Sequence, residues 1–599
     1  MFLSRIKVRN FRNFRDLDIE LGTTSVVVGE NGVGKSNLLF ALRLVLDPRL
    51  SDSSRYLREE DFWQGLNEPI KNGETIEVTV ELQDFKNDKN LFAVLQQFCV
   101  PGPVPDTARL TYLFRPKSAL LEDRGIHVTD YEFLVFGGAD EADRVDFRVR
   151  RWIPIEVLPA LRDAERDLAN WRQSPLRPLI ESLSIPDTTL ATVAAGIDKA
   201  TGQLLAVKDV QDLTTLIDTR LTEMVGSVLE IDPSLGFAPT MPERLTRALR
   251  MFGDGSRQRS VSELSLGADN ILYLLLLAIE LERKEATAER AATILAIEEP
   301  EAHLHPHLQR LVFRDFLRRK APVLLTTHSP HIASVAPLKS VVLLKSDRVD
   351  NDTKGWSTVG AGLTEQDIVD LERYLDTTRA EVLFARGVIL VEGPAELFLV
   401  PAVAEDMNTV LDEHGVTVCS VHGTDFAPYA KLLGQGGLNI PFVILTDGDW
   451  YTNRKGEELS RGLRRTVTIA KALNHADSDY FSDMYRERRW DDLKEAGQGI
   501  GIFVGEHTLE VDLFDDGHGQ EVVDSLKELG IVGAREKELR RLAAMDENLS
   551  RKEANYVLRS IERWGKGRVA QRLVGRVAAE KFPTYITDGV LRIIEVLQQ

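Results

Sequence analysis

Residues 26–46 read "VVVGENGVGKSNLLFALRLVL". An apolar run suited to a buried strand enters a glycine loop, and the loop opens a stretch with the apolar spacing of a helix. Gly29, Gly34, Lys35 and Ser36 complete the pattern GxxxxGK[ST]. Glycines let backbone N–H groups curl around an anion at a helix N-terminus. The lysine neutralises the β- and γ-phosphates, and the serine hydroxyl holds magnesium. The expected nucleotide contacts are Gly29, Asn31, Gly32, Gly34, Lys35, Ser36 and Asn37, with ATP as the cofactor. The fold around such a loop is α/β.

A phosphate loop needs an acid to hold magnesium and polarise water. "TILAIEEPEAHLHP", 293–306, supplies one: an apolar strand ends in Glu298 and Glu299. Glu298 is expected to contact the metal through water, and Glu299 to activate the attacking water. "VLLTTHSPHI", 323–332, is another buried strand, ending at His328, where a histidine senses the γ-phosphate or serves structure alone. Between them, "ELSLGADNILYLLLLAIELE", 263–282, is a Ser-x-Gly turn opening an apolar helix. Ser265 and Gly267 at a helix N-terminus suit an anion. Taken alone, Ser265 reads more readily as a helix N-cap than as an anion contact. The order of loop, Ser-Gly turn, double glutamate and histidine resembles the ABC-type ATPases, in the branch that includes SMC proteins and RecF. The opening "IKVRNFRNF", 6–14, resembles that branch too. The resemblance implies two heads brought together by ATP, the serine of one closing on the nucleotide of the other. LSLGA stands where that family has LSGGQ, and Glu298 where it has aspartate.

The 599 residues are too many for one core. Composition is that of a globular protein, 43% hydrophobic and 28% charged. Two cysteines, Cys99 and Cys419, rule out a disulfide scaffold and suit a reducing cytoplasm. The longest apolar run, 271–281, is too short to span a bilayer, and the N-terminus does not read as a signal peptide. A net charge of −19 argues against bulk electrostatic coating by nucleic acid, but residues 551–599 hold ten Lys/Arg against five Asp/Glu. Ser36 and Ser265 lie 229 positions apart, more than a bare ATPase head needs. Residues 75–150 read mostly as strands, including "RVDFRVRRWIPIEV", 144–157, and Gln83 is a candidate metal contact. Leu158, Leu161, Ala164, Leu168 and Trp171 read as a helical stripe in a dimerising insertion.

The C-terminal part repeats one device. "VILVEGPAELF", 388–398, is an apolar strand ending in Glu392, a Gly-Pro turn and Glu396. "PFVILTDGDW", 441–450, ends in Asp447 and Asp449. Ligands bind beyond the carboxyl ends of strands in α/β folds, so these acids are expected to converge and to require cations. Oxygen-only ligands suit Mg²⁺ or Mn²⁺, with Ca²⁺ as a third choice. "HTLEVDLF", 507–514, reads as a strand placing Glu510 and Asp512 on one face.

A glutamate after one strand and D-x-D after a later one resemble the Toprim domain. An ABC-type ATPase followed directly by Toprim resembles the OLD (overcoming lysogenization defect) nucleases. The segments that carry this likeness are "EVLFARGVILVEGPAE", "VILTDGD", "TLEVDLF" and the basic "GKGRVAQRL", 565–573. It implies cleavage of DNA phosphodiesters between two metals roughly 4 Å apart. Glu392, Asp447 and Asp449 would be ligands, and Glu396 with Glu510 and Asp512 would complete the second site. Lys566, otherwise one more surface lysine, would assist. Implied partners are DNA, a homodimer or higher oligomer and, in the Gabija-like class, a UvrD-like helicase. "VHGTDFAPYAKLL", 421–433, resembles that class. The rival readings are a topoisomerase-like strand-transfer enzyme and an ATP-gated DNA clamp with a decayed Toprim site. The expected organisation is an ATPase N-terminal lobe at 1–155, the helical insertion at 156–235 and an ATPase C-terminal lobe at 236–350. A connecting segment at 351–385 leads to Toprim with basic C-terminal helices at 386–599.

Overall fold

The computed structural model describes all residues except 103, 105, 118–125, 161–163, 171–173, 226–232, 234, 236–240, 248, 250, 255–258, 261–264, 319–321, 348–349, 376–378, 546 and 599. The chain divides into two compact units. One holds Met1–Ala160, Ala291–Glu301 and Pro306–Gln599; the other holds Leu161–Arg290 and Ala302–His305.

The first unit begins with the ATPase. The phosphate-loop strand Thr24–Gly29 is buried along its whole length and lies inside a six-stranded sheet. Across the sheet the order is Asp352–Ser357, Val341–Asp347, Thr24–Gly29, Val323–Thr327, Ile294–Glu298, Ile155–Leu158. All pairings are parallel except at the first of these strands. Strands buried on both faces read as continuous apolar runs, which is why "SVVV", "ILAI" and "VLLTT" were legible. The Lys35–Leu46 helix buries Leu38, Leu39, Leu42, Val45 and Leu46, each worth roughly 1.5–3 kcal/mol of burial. An antiparallel sheet shares this core: Phe2–Phe11 pairs with Phe14–Glu20 and with Ile76–Gln83, which pairs with Thr107–Pro116.

Three expectations are corrected here. Phe147–Trp152 is a helix, because the Asp146 carboxylate caps it by accepting from the Val149 amide. Leu158 ends a strand, since Ile155–Leu158 pairs in parallel with Ile294–Ile297; Leu161 and Trp171 lie outside the described residues. Gln83 pairs with Phe2, at the end of the Phe2–Phe11 strand remote from Asn13, which contacts the phosphate loop. At about 3.3 Å per residue the strand separates the two ends by roughly 30 Å, and the Gln83 amide donates to Thr107 instead.

The Toprim sheet has four parallel strands in the order Val416–Ser420, Gly387–Val391, Phe442–Thr446, Ile502–Val504. The first strand in sequence is therefore flanked by the second and the third. The crevice beyond the carboxyl ends of the first and third is the topological switch point, where ligands bind in such sheets. The Thr584–Gln598 helix packs on this sheet, burying Val590 and Ile593 with Ile389, Leu445 and Phe503.

The second unit is mainly helical, with helices Ala164–Ala169, Leu176–Glu181, Asp187–Leu205, Lys208–Val225, Pro242–Arg247 and Leu266–Ala286. The Asp187–Leu205 and Lys208–Val225 helices expose Val193, Ile197, Leu204, Leu213, Leu216 and Ile217. Among the described residues no helix is long and apolar enough to cross a membrane.

Candidate active site

The phosphate loop is held from both sides. The Lys35 ammonium donates to the Gly29 and Glu30 carbonyls, each at 3.1 Å, and stands 2.7 Å from His328 Nε2. That nitrogen is 2.8 Å from Glu299 Oε1. Burial lowers the Lys35 pKa, opposed by Glu299, Glu301 and Glu298. The Ser36 hydroxyl touches the Glu298 carboxylate, so the two groups expected at magnesium are adjacent. Glu299 has φ 42°, a left-handed backbone costly for a residue with a Cβ. The opening segment also has a role that its sequence did not disclose. The Asn13 amide donates to the Val33 carbonyl at 2.8 Å, Asn37 donates to Asn13 Oδ1 at 2.7 Å, and Arg12 donates to Asn37 at 2.8 Å. Asn31 and Gly32 lie exposed at the loop crest. Ser265 and Gly267 belong to the second unit. There Ser265 caps the Leu266–Ala286 helix by accepting from the Ala268 amide at 3.3 Å. Gly267 packs on the His303 carbonyl, where a Cβ would come within 2.6 Å.

The acids of the Toprim sheet meet at its switch point. Glu392 follows the first strand and Asp447 the third. Glu392 Oε1 accepts from the Thr446 hydroxyl at 2.6 Å and from the Asp447 amide at 2.9 Å. Asp447 Oδ1 accepts from the Leu509 amide at 3.0 Å. Gly448 lets the D-x-D turn lie against the Gly505 and Glu506 carbonyls, which a Cβ would meet at 2.5 and 2.4 Å. Asp449 then sits at φ 49°. Glu396 is in the first turn of the Pro394–Asp406 helix, where the dipole favours a carboxylate. It is buried all the same, and burial, with Glu510 and Glu392 nearby, pushes its pKa up to about 7. Burial raises Asp447 well above the ordinary carboxylate range, helped by Glu392, Glu510 and Glu396. Glu392 is raised by burial too, against the pull of Arg465.

Two cations serve this cluster. Lys566 Nζ pairs with Glu510 Oε2 at 2.9 Å. It opens the Lys566–Leu573 helix, and Gly567 lets that helix reach Pro394, which a Cβ would meet at 3.2 Å. Burial works against its charge, but Glu510, Asp447 and Glu396 outweigh burial and raise its pKa. The other cation, Arg465, was not anticipated. It donates to Glu392 Oε1 at 2.7 Å and to the Asp447 carbonyl at 3.1 Å, and it touches the Asp449 carboxylate. A signal was available: Arg461, Arg464 and Arg465 all lie early in the Arg461–Ala472 helix, where the dipole disfavours cations.

Asp512 is corrected. Residues 509–513 form a helix, so positions 510 and 512 point about 160° apart instead of sharing a face. Glu510 faces Lys566. The Asp512 carboxylate instead accepts from the His507 and Glu506 amides, at 2.8 and 3.2 Å, and burial raises its pKa to about 8.

The remaining donors suit a hard divalent ion: they are all oxygens, and burial makes their charge costly without a cation. As they stand, no three His, Cys, Asp or Glu side chains among the described residues are gathered tightly enough to hold one ion. Asp449 also borders a cavity of about 500 Å³ lined by Trp450, Tyr451, Arg461, His507, Thr508 and Arg551.

Comparison with known proteins agrees with this architecture. The family described as "Overcoming lysogenization defect protein-like, TOPRIM domain" matches residues 383–449, and "AAA ATPase domain" matches 1–144 and 207–333. The chain is 25% identical to the OLD nuclease of Thermus scotoductus over 492 residues, 77% of this chain and 84% of that protein. It is 23% identical to the endonuclease GajA of Bacillus cereus (strain VD045) over 550 residues, 86% of this chain and 89% of that protein. It is 38% identical to the solved C-terminal region of the Burkholderia pseudomallei OLD protein, covering 36% of this chain and 99% of that one, with a TM-score of 0.31. An ATPase head and a Toprim domain joined in one α/β chain are what the sequence led us to expect. The chain thus joins an OLD-like Toprim domain to an AAA-type ATPase domain, and its relatives include proteins named as OLD nuclease and endonuclease.

Proposed function

We propose that this chain is an ATP-hydrolysing, metal-dependent endonuclease that nicks DNA at the Toprim switch point, in a phage-defence or repair setting. The observation that carries this reading is the meeting of Glu392, Glu396, Asp447, Asp449 and Glu510 with Lys566 at the carboxyl ends of adjacent parallel strands. Glu392, Asp447 and Asp449 would hold one divalent ion, and Glu396 with Glu510 a second; Asp512 is left out. Such ions supply Lewis acidity toward the phosphate oxygens and a nucleophile at neutral pH. The chain's own residues do the rest. Asp447 and Glu392 are fixed by backbone amides, so the ligand frame is preorganised. Lys566 neutralises charge on the leaving 3′ oxygen. Trp450, Tyr451 and Arg461 border the cavity beside Asp449, where aromatic and guanidinium planes suit nucleotides.

At the ATPase site, Lys35 turned toward the β- and γ-phosphates leaves His328 Nε2 to donate to Glu299, orienting the base that activates water. Ser36 and Glu298 would hold Mg²⁺. Heads of this type act in pairs, and the apolar faces of the Asp187–Leu205 and Lys208–Val225 helices suit a second copy; light scattering should give at least a dimer. A UvrD-like helicase is a further proposed partner.

The deciding experiment is nicking of supercoiled DNA by purified protein with Mg²⁺, Mn²⁺ or Ca²⁺, with and without ATP. Cleavage that persists in EDTA would refute the mechanism. The topoisomerase-like alternative is disfavoured by Tyr585. Burial, with Asp447 and Asp512 nearby, raises its pKa above the ordinary phenol range, and the buried ring offers its hydroxyl little access to a DNA phosphate.

A further inference from the structure

Arg465 contacts two of the three carboxylates that the reading above assigns to one divalent ion. One arm of the guanidinium takes Glu392, and the other takes Asp449 together with the Asp447 carbonyl. The side chain is 11% exposed, and its position is built in. Ser460 caps the helix by accepting from the Leu463 amide at 3.1 Å and donates to the Gly448 carbonyl at 2.5 Å. At Gly462 a Cβ would fall 2.3 Å from the Asp447 carbonyl, so only glycine brings the helix this close to the D-x-D turn. A cation on this helix, one turn further on, must enter the acid cluster.

The two cations of the cluster differ in what they hold. Lys566 is a point charge on Glu510 alone. The planar guanidinium of Arg465 fixes Glu392 and Asp449 on separate arms, and among the described residues no three acidic or histidine side chains close around a common point. A divalent ion bound by Glu392 and Asp449 would meet a fixed positive charge on the same two groups, whichever oxygens it used.

We infer that Arg465 is an intrinsic competitor for the metal: it holds the Glu392–Asp449 pair until a divalent ion displaces it, and so sets the metal concentration at which the nuclease becomes active. This rests on the metal-site reading above. It makes Arg465 a positioning residue, and its signature is one that a purely structural arginine lacks. Removing a structural arginine disorders the ligands and weakens metal binding. Removing a competitor strengthens it.

The test is calorimetric titration of Mn²⁺ into full-length, EDTA-treated wild-type, Arg465→Gln and Arg465→Lys proteins, with thermal unfolding in parallel. Arg465→Gln should bind Mn²⁺ at least about tenfold more tightly, with a larger metal-induced rise in Tm. Arg465→Lys, which keeps the charge but cannot span both carboxylates, should fall between. If Arg465→Gln does not fold, Arg465→Lys carries the test alone. Variants that bind Mn²⁺ no more tightly than the wild type overturn the inference and leave the metal site standing. Failure of all three proteins to bind Mn²⁺ at millimolar concentration overturns the metal site, and the inference with it.

Discussion

The two sites of this chain are built on the same plan with opposite charge. Each lies at the carboxyl ends of parallel strands, and each places an acid, Glu299 or Asp449, in left-handed backbone. The phosphate site presents a loop and one buried lysine to an anion, and its acids stay partly exposed, Glu299 at 38%. The Toprim site buries Glu396, Asp447 and Glu510, and the pKa values of Glu396 and Asp447 rise in response. An anion site can be made from backbone N–H groups, which are neutral and easily buried. A cation site needs formal carboxylate charge, and burying several together is unfavourable until cations arrive. Lys566 and Arg465 meet part of that need from within the protein.

This contrast can be broken most sharply at Asp447. Asp447→Ala should reduce nicking of supercoiled DNA by at least about 10³-fold, because the proposed metal site loses a ligand. ATP hydrolysis should stay within about twofold. Equal loss of both activities would mean that the two sites are not separate machines.

Next in size is the reciprocal change. Glu299→Gln should retain ATP binding in a filter assay but slow hydrolysis by at least about 100-fold, whereas Lys35→Ala should abolish binding. Wild-type turnover by Glu299→Gln would remove Glu299 from its role.

Lys566→Ala should slow cleavage about 100-fold with Mn²⁺ affinity in calorimetry little changed, since a lysine stabilises charge and is not a ligand. A lost metal signal would mean that Lys566 mainly holds Glu510 in place.

Metal itself should separate the sites by stability. Saturating Mg²⁺ without nucleotide should raise Tm, with stabilisation of about 2.7 kcal/mol at a hundredfold excess over Kd. Asp447→Ala should lose most of that gain. A gain unaltered by Asp447→Ala places the responsible ion elsewhere.

The smallest effect is expected at Asn13. Asn13→Ala removes the amide that braces the Val33 carbonyl and should weaken ATP binding only about three- to tenfold, or 0.6–1.4 kcal/mol, with nicking in the absence of ATP unaffected.

Much of the architecture was open to reading because its signals are local. A phosphate loop is eight consecutive residues, and a strand buried on both faces is an unbroken apolar run. Glu298, Glu299, Glu392, Asp447 and Asp449 each stand at or just past the end of such a run, so their shared edge followed from α/β topology. Other features were hidden because they depend on direction or register. "HTLEVDLF" has the alternation of a strand, but residues 509–513 coil. Successive side chains then turn by 100° instead of 180°, which keeps Glu510 in the cluster and sends Asp512 to the backbone of the preceding turn. Gln83 lies on the expected strand at the wrong end of it. Asn13 and Arg465 carry no motif of their own; the first acts on Val33, 20 positions away, and the second on Glu392, 73 positions away. By itself, the sequence disclosed most of the order of the elements, the residue types gathered at the two candidate sites and which strand ends carry acids, because backbone propensity and burial are written in neighbouring residues. Only the tertiary structure decided which of those acids face one another and which cations stand among them. A side chain's direction depends on the helix or strand that carries it, and its partners come from chain segments that sequence spacing does not relate.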